Sequence, residues 1–302
     1  MKSSFVIGRG VRTAGAQVRR IMALALLTTA ALATLTACST VRLAYQQAPA
    51  LSQWWLNDHF DFTDAQATQV RGAIDTFYDW HRQSELPRYA DLLRRWQDMA
   101  RRDITASQAC AQFEEIRDRV WRAGERTLAP FAQLLVDLGP EQIAALKRRQ
   151  ASSNQTFADD FLRGTPAERL ARRLDEAVSR SERLYGRLNA QQRSLLSTGL
   201  AQSPWDAPLT QIERQRRQAD LLQTIAQAQA EPEHAARLLR SHAEGLMVSP
   251  DAHYRAMSER AVRHACAQFA ELHNSTTPEQ REHAVAVLRG YEADLQSLSA
   301  SR

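Results

Sequence analysis

Lysine is nearly missing from this chain. Lys2 and Lys147 are the two it has, so its basic charge is almost wholly arginine. Glycine and proline are also sparse, eleven and ten in 302 residues. Turns are therefore few and segments long. No stretch alternates apolar and polar residues as a half-buried strand does, and no Asn-Gly hairpin signal occurs. There is no glycine-rich phosphate loop, no G-x-S-x-G elbow and no H-E-x-x-H pair. No catalytic residue, metal ligand set or cofactor is therefore assigned.

Excess charge of one sign is missing too, once its location is considered. The net charge is +5, but residues 1–37 hold Lys2, Arg9, Arg12, Arg19 and Arg20 and no acid. Without those five, 34 basic residues face 34 acidic ones. A body so balanced is not a general polyanion surface, and nucleic acid is not an expected partner. The arginine clusters "KRRQ" (147–150), "ARRL" (171–174) and "RQRRQ" (214–218) have Glu and Asp nearby. They read as solvated helix faces with ion pairs, the alternative being contact with anionic headgroups.

What is present begins with one apolar run. Residues 21–37, "IMALALLTTAALATLTA", follow a basic stretch and are short for a membrane span, which needs about 20 residues. The run ends in Leu35-Thr36-Ala37-Cys38, which resembles the bacterial lipobox. That resemblance implies cleavage before Cys38 and acylation of its sulfur and new amine, anchoring the chain to a membrane through several acyl chains. Ser39, not Asp, follows Cys38; by resemblance to enterobacterial sorting this implies the outer membrane, with the body on the periplasmic side. The alternatives are an ordinary secretory signal or an uncleaved anchor helix. The expected organisation is a leader over 1–37, a lipidated tether over 38–48 and one helical domain over 49–298, with a sub-lobe break near 199–210.

Cys110 and Cys266 are the other cysteines, in the like contexts "ACAQFEEI" and "ACAQFAEL". In an oxidising compartment they can bridge, constraining the unfolded chain by roughly 4–5 kcal/mol. The alternative is two buried free thiols.

The composition favours good helix formers, and the expected fold is all-α: a multi-helix antiparallel bundle or an elongated helical array. Helix starts recur as "FTDAQ" (62–66), "ITASQ" (104–108), "LGPEQ" (138–142), "LNAQQ" (188–192), "TTPEQ" (276–280) and the Glu version "TPAE" (165–168). In each, a cap residue is followed three residues later by Gln or Glu, the capping-box spacing. "SPDA" (249–252) predicts a further start through Ser249 and Pro250. Helices are predicted over 50–58, 64–82, 85–102, 106–137, 140–162, 166–188, 190–201, 209–230, 232–244, 250–274 and 278–297. Three stripes at helical spacing read as core seams: Phe113, Ile116 and Val120; Leu170, Leu174, Val178, Ser181, Leu184 and Leu188; Val287, Leu288, Tyr291, Leu295 and Leu298. Trp54, Trp55 and Phe60 are expected to pack onto the bundle, the alternative being a membrane interface.

The stretch "DWHRQSELPRYADLLRRW" (79–96) places Trp80, His81, Arg82, Glu85, Pro87 and Tyr89 at a helix junction. There Ser84 can cap the next helix, and Arg82 can pair with Glu85. These six residues are the candidate interaction surface. With the lipobox, Tyr45, Trp54, Trp55 and Thr63 to Gln66, this stretch resembles an uncharacterised family of Gram-negative lipoproteins, a domain of unknown function. The resemblance implies fold and location and no reaction. The repeated helix starts also resemble Spy-like and CpxP-like periplasmic chaperones. Three functional classes follow. A closed, patch-poor bundle marks a scaffold for envelope protein partners, and a contiguous exposed apolar concavity marks a tethered chaperone or stress module. A polar cleft, above all His81 with Glu85, marks an unrecognised hydrolase.

Overall fold

The computed structural model describes residues 40–301; the leader and Cys38 lie outside the described residues. Residues 47–302 form one compact unit. Among the described residues there are eleven α-helices, one short 3-10 turn and no strand. The helices are α1 Thr40–Phe60, α2 Asp64–Ser84, α3 Leu86–Ala100, α4 Ala106–Val136, α5 Pro140–Phe161, α6 Pro166–Tyr185, α7 Ala190–Ala201, α8 Ala207–Ala230, α9 Ala235–Met247, α10 Ala252–Asn274 and α11 Pro278–Ala300. The fold is an all-α bundle, as the composition predicts.

The capping boxes form where the spacing places them. Thr63, Thr105, Thr165, Asn189 and Thr277 each accept from the backbone N–H three residues on, and the Gln or Glu there reaches back. At Gly139 only the return bond exists, Gln142 Oε1 accepting from the Gly139 N–H at 2.9 Å. Four of the six boxes also meet in pairs. Gln66 and Gln142 exchange amide hydrogen bonds of 3.3 and 2.8 Å, and Gln192 and Gln280 exchange bonds of 2.7 and 3.1 Å. Each amide's second N–H goes to the carbonyl chain just before the partner's helix: Asp137, Asp61, Ser275 and Arg187 respectively. Asp61, at φ 50°, holds the left-handed conformation that Asp tolerates. Every donor and acceptor of these glutamines is thus used, which buried amides require.

Two cores result. In the first, α3, α6, α7, α10 and α11 enclose Leu93, Val178, Tyr185, Leu196, Leu272 and Val285. In the second, α1, α4, α5, α8 and α9 enclose Phe60, Leu135, Leu146, Ile225 and Leu239, with Val70 and Ile74 of α2 alongside. The cores interleave along the chain. The linker over 202–206 passes from one to the other, yet α3, before it, packs with α10 and α11, after it. Cys110 of α4 and Cys266 of α10 form a disulfide with Cα atoms 5.3 Å apart, set beside Ile104, Ala109 and Ala270.

Several expectations are corrected. α1 begins at Thr40, ten residues before the predicted start, and runs through Pro49, so residues 40–48 are helical. Asp251, not Ser249, caps α10, its carboxylate accepting from Tyr254 N at 2.6 Å. Ser249 is instead buried, its hydroxyl oxygen accepting from the Asp251 N–H at 3.2 Å. Ser84 is the last residue of α2, and α3 starts without a side-chain cap. Phe113, Val120 and Tyr291, read as core, are exposed. A spacing of three or four selects a helix face, and here that face is only partly covered.

Candidate functional site

α1 turns Leu56 and Phe60, one helical turn apart, toward the core. Leu51, Trp54 and Trp55 thereby fall outside it, and they edge an open groove of about 1270 Å³ between α1, α2, α4 and α9. Trp54 is 66% exposed and Trp55 52%, against the expectation that they pack onto the bundle; Phe60 does pack. The opposite edge carries Val120, 55% exposed, and Leu246. Val70, Ile74, Phe131, Leu134 and Leu239 form the floor. This volume exceeds the roughly 300–1,000 Å³ of ordinary small-molecule sites, and contiguous exposed apolar surface of this kind marks an interaction site.

Few polar groups face the groove. Ser52 Oγ and Tyr78 Oη are hydrogen-bonded at 3.0 Å across α1 and α2. His242 Nδ1 lies 2.5 Å from Asp220 Oδ2. Arg126, exposed on α4, places its guanidinium 5.1 Å from the centre of the Trp80 ring. Among the described residues it is the one permanently charged side chain in the lining, and none of them brings a carboxylate to the groove. Neighbouring Glu125 is held by Arg240 at 2.7 Å, and no ion pair involves Arg126 among the described residues.

Of the six junction residues, Trp80 alone lines the groove. Glu85 is 1% exposed and faces Arg119 at 3.5 Å and Arg88 at 3.7 Å, so the expected Arg82–Glu85 pair is not formed. Arg82 reaches the Ser301 carbonyl instead, at 3.5 Å. His81 packs between Phe77 and Tyr89, and Arg119 lies over the Tyr89 ring. Burial lowers the His81 pKa, against an opposing pull from Glu85. Burial also raises the Tyr89 phenol, with Glu85 adding to the shift. Burial would raise Glu115, but hydrogen bonds from Arg95 and Arg119 outweigh it and hold the carboxyl below its ordinary value. Pro87 is exposed at the start of α3. The stretch is a locked junction that fixes α2 and α3 against α4 and sets the Trp80 ring in the groove wall.

The chain belongs to a family of unknown function, DUF6279, whose model matches residues 58–252. No curated protein and no solved structure matches it. The family region takes in Trp80, Arg126 and every groove residue except those of α1 before Asp58; Cys38 and Cys266 lie outside it.

The arginine clusters are engaged internally. Arg149 pairs with Asp58, Arg216 and Arg217 both bind Glu213, and Arg173 and Arg214 stack on Trp205 and Phe157. No helix among the described residues is long and apolar enough to cross a membrane. Sequence reasoning missed Val120, Trp121, Arg126 and Leu246. Val120 and Trp121, large apolar residues of α4, read equally as core, and no local pattern singles out Arg126 or Leu246 of α9.

Proposed function

We propose that this protein is a lipid-anchored envelope protein, held through Cys38 at the periplasmic face of the outer membrane, whose helical body binds apolar partners in the groove. The open groove carries this reading. A closed scaffold leaves no reason for Trp54, Trp55, Val120 and Leu246 to stand in water around one concavity. Holding apolar partners is the work of a tethered chaperone-type module, the class that the repeated helix starts resemble. The lipobox and the leader before it support the anchor.

Two experiments test the proposal. Mass spectrometry of the purified protein is expected to find a chain beginning at acylated Cys38; an unmodified thiol or a retained leader overturns the anchor. Photolabelling of the full chain with an apolar diazirine is expected to concentrate on the groove edges at Trp54, Val120 and Leu246. Equal labelling of Ile212 and Phe269, which are exposed apolar residues outside the groove, overturns the binding role.

A further inference from the structure

We infer that the occupant of the groove is a phospholipid with an anionic headgroup, its acyl chains along the apolar floor and its phosphate at Arg126. This deepens the proposed binding role and rests on it.

Charge carries the choice of ligand. An apolar groove for a generic hydrophobic segment needs no fixed charge at its wall. An amphipathic peptide would be met by residues of both signs. Here the lining, among the described residues, holds one permanent cation and no carboxylate. The cation is also prearranged: it is stacked 5.1 Å from the centre of the Trp80 ring, no ion pair involves it among the described residues, and the adjacent Glu125 is taken up by Arg240. A guanidinium suits a phosphate, which it can engage through two parallel N–H donors. Size carries the rest. About 1270 Å³ is more than a single small ligand fills. The groove is also open to solvent at Trp54, Trp55, Val120 and Leu246, which lets a chain enter from outside. Tryptophans at its mouth, Trp54 and Trp55, are the residue type that settles at the level of lipid headgroups.

The test uses the full chain carrying p-benzoylphenylalanine in place of Val120, incorporated into vesicles of phosphatidylcholine mixed with phosphatidylglycerol. Irradiation and mass spectrometry identify the captured lipid. Phosphatidylglycerol is expected to be captured about fivefold above its share of the bilayer, the scale of one basic contact to an anionic lipid. Arg126→Gln is expected to abolish that preference and Arg126→Lys to retain most of it. Arg126 is exposed, so neither change disturbs the core. Capture in proportion to the bilayer composition, a preference that survives Arg126→Gln, or no lipid adduct at all overturns the inference. If diazirine labelling still concentrates in the groove, the apolar-binding role stands and only the lipid assignment fails; if it does not, both fail.

Discussion

The two cores of this molecule are built alike and finished differently. Each has a pair of capping boxes clasped through their glutamines, Gln66 with Gln142 and Gln192 with Gln280. In the α3–α6–α7–α10–α11 core the apolar faces close on one another. In the other, α1 and α9 stand apart, and the floor that would be core is left open as a groove. The clasps hold the helix ends in both cases, so the groove does not arise from a frayed region. Helix ends fixed by polar bonds allow apolar side walls to stay separated without losing register.

Breaking the link between the cores has the largest expected effect. Replacing Cys110 and Cys266 by Ala releases a bridge spanning 156 residues, with a loss of about 5 kcal/mol by the loop-entropy estimate. Urea unfolding with and without the bridge measures it.

Next comes a contrast between the two finishes. Leu272→Ala in the closed core is expected to cost about 2–5 kcal/mol, whereas Leu246→Ala on the groove edge stays within about 0.5 kcal/mol. Chemical denaturation of both variants checks this, and equal costs would mean that the groove is packed in solution.

The clasps sharpen the comparison further. Gln192, 0% exposed, needs two acceptors for its amide N–H groups and finds them. Gln192→Glu removes both donors and sets a carboxylate against Gln280 Oε1, for about 2–4 kcal/mol. Gln108→Glu, in an exposed and unpaired box, is expected to change stability by less than about 0.5 kcal/mol. Thermal unfolding of the two variants separates pairing from capping.

The smallest effect is a pH dependence. His273 donates from Nε2 to the Arg102 carbonyl at 2.8 Å and accepts from Tyr185 Oη at Nδ1, 3.0 Å away. Burial lowers its pKa below the ordinary 6.5, and burial does the same at His81. The unfolded chain then binds these protons first, so stability is full above about pH 6.5 and falls as pH drops below it. Carboxylates lose their contribution in a lower window. Glu213, held near a pKa of about 2 by Arg216, Arg217 and Ser249 against the opposing effect of burial, acts only below its ordinary 4.5. Urea midpoints at pH 7.5, 5.5 and 3.5 distinguish the two windows; a flat profile between the first two would mean that neither histidine is held neutral.

Helix starts were legible because a capping box is local: cap and return residue lie three apart, and the bonds close within one turn. The stripes were less legible. Val178 and Leu188 are buried as expected, but Val120 has the same spacing and faces the groove. Periodicity identifies a face and leaves its covering to residues far along the chain. The pairing of glutamines was invisible for the same reason, since Gln66 and Gln142 meet only through the tertiary fold. Glu85 was read toward Arg82, its sequence neighbour, because Arg119 was too distant in sequence to suggest. The groove is therefore the least legible part: it consists of contacts that are not made.

The bridge also imposes an order on biogenesis. Cys266 lies on α10, 156 residues after Cys110, so its sulfur is not available to Cys110 until that whole intervening length has been synthesised. Five helices, α5 through α9, have to wait inside an unclosed ring, and the earlier thiol needs protection from other oxidation partners until its mate arrives.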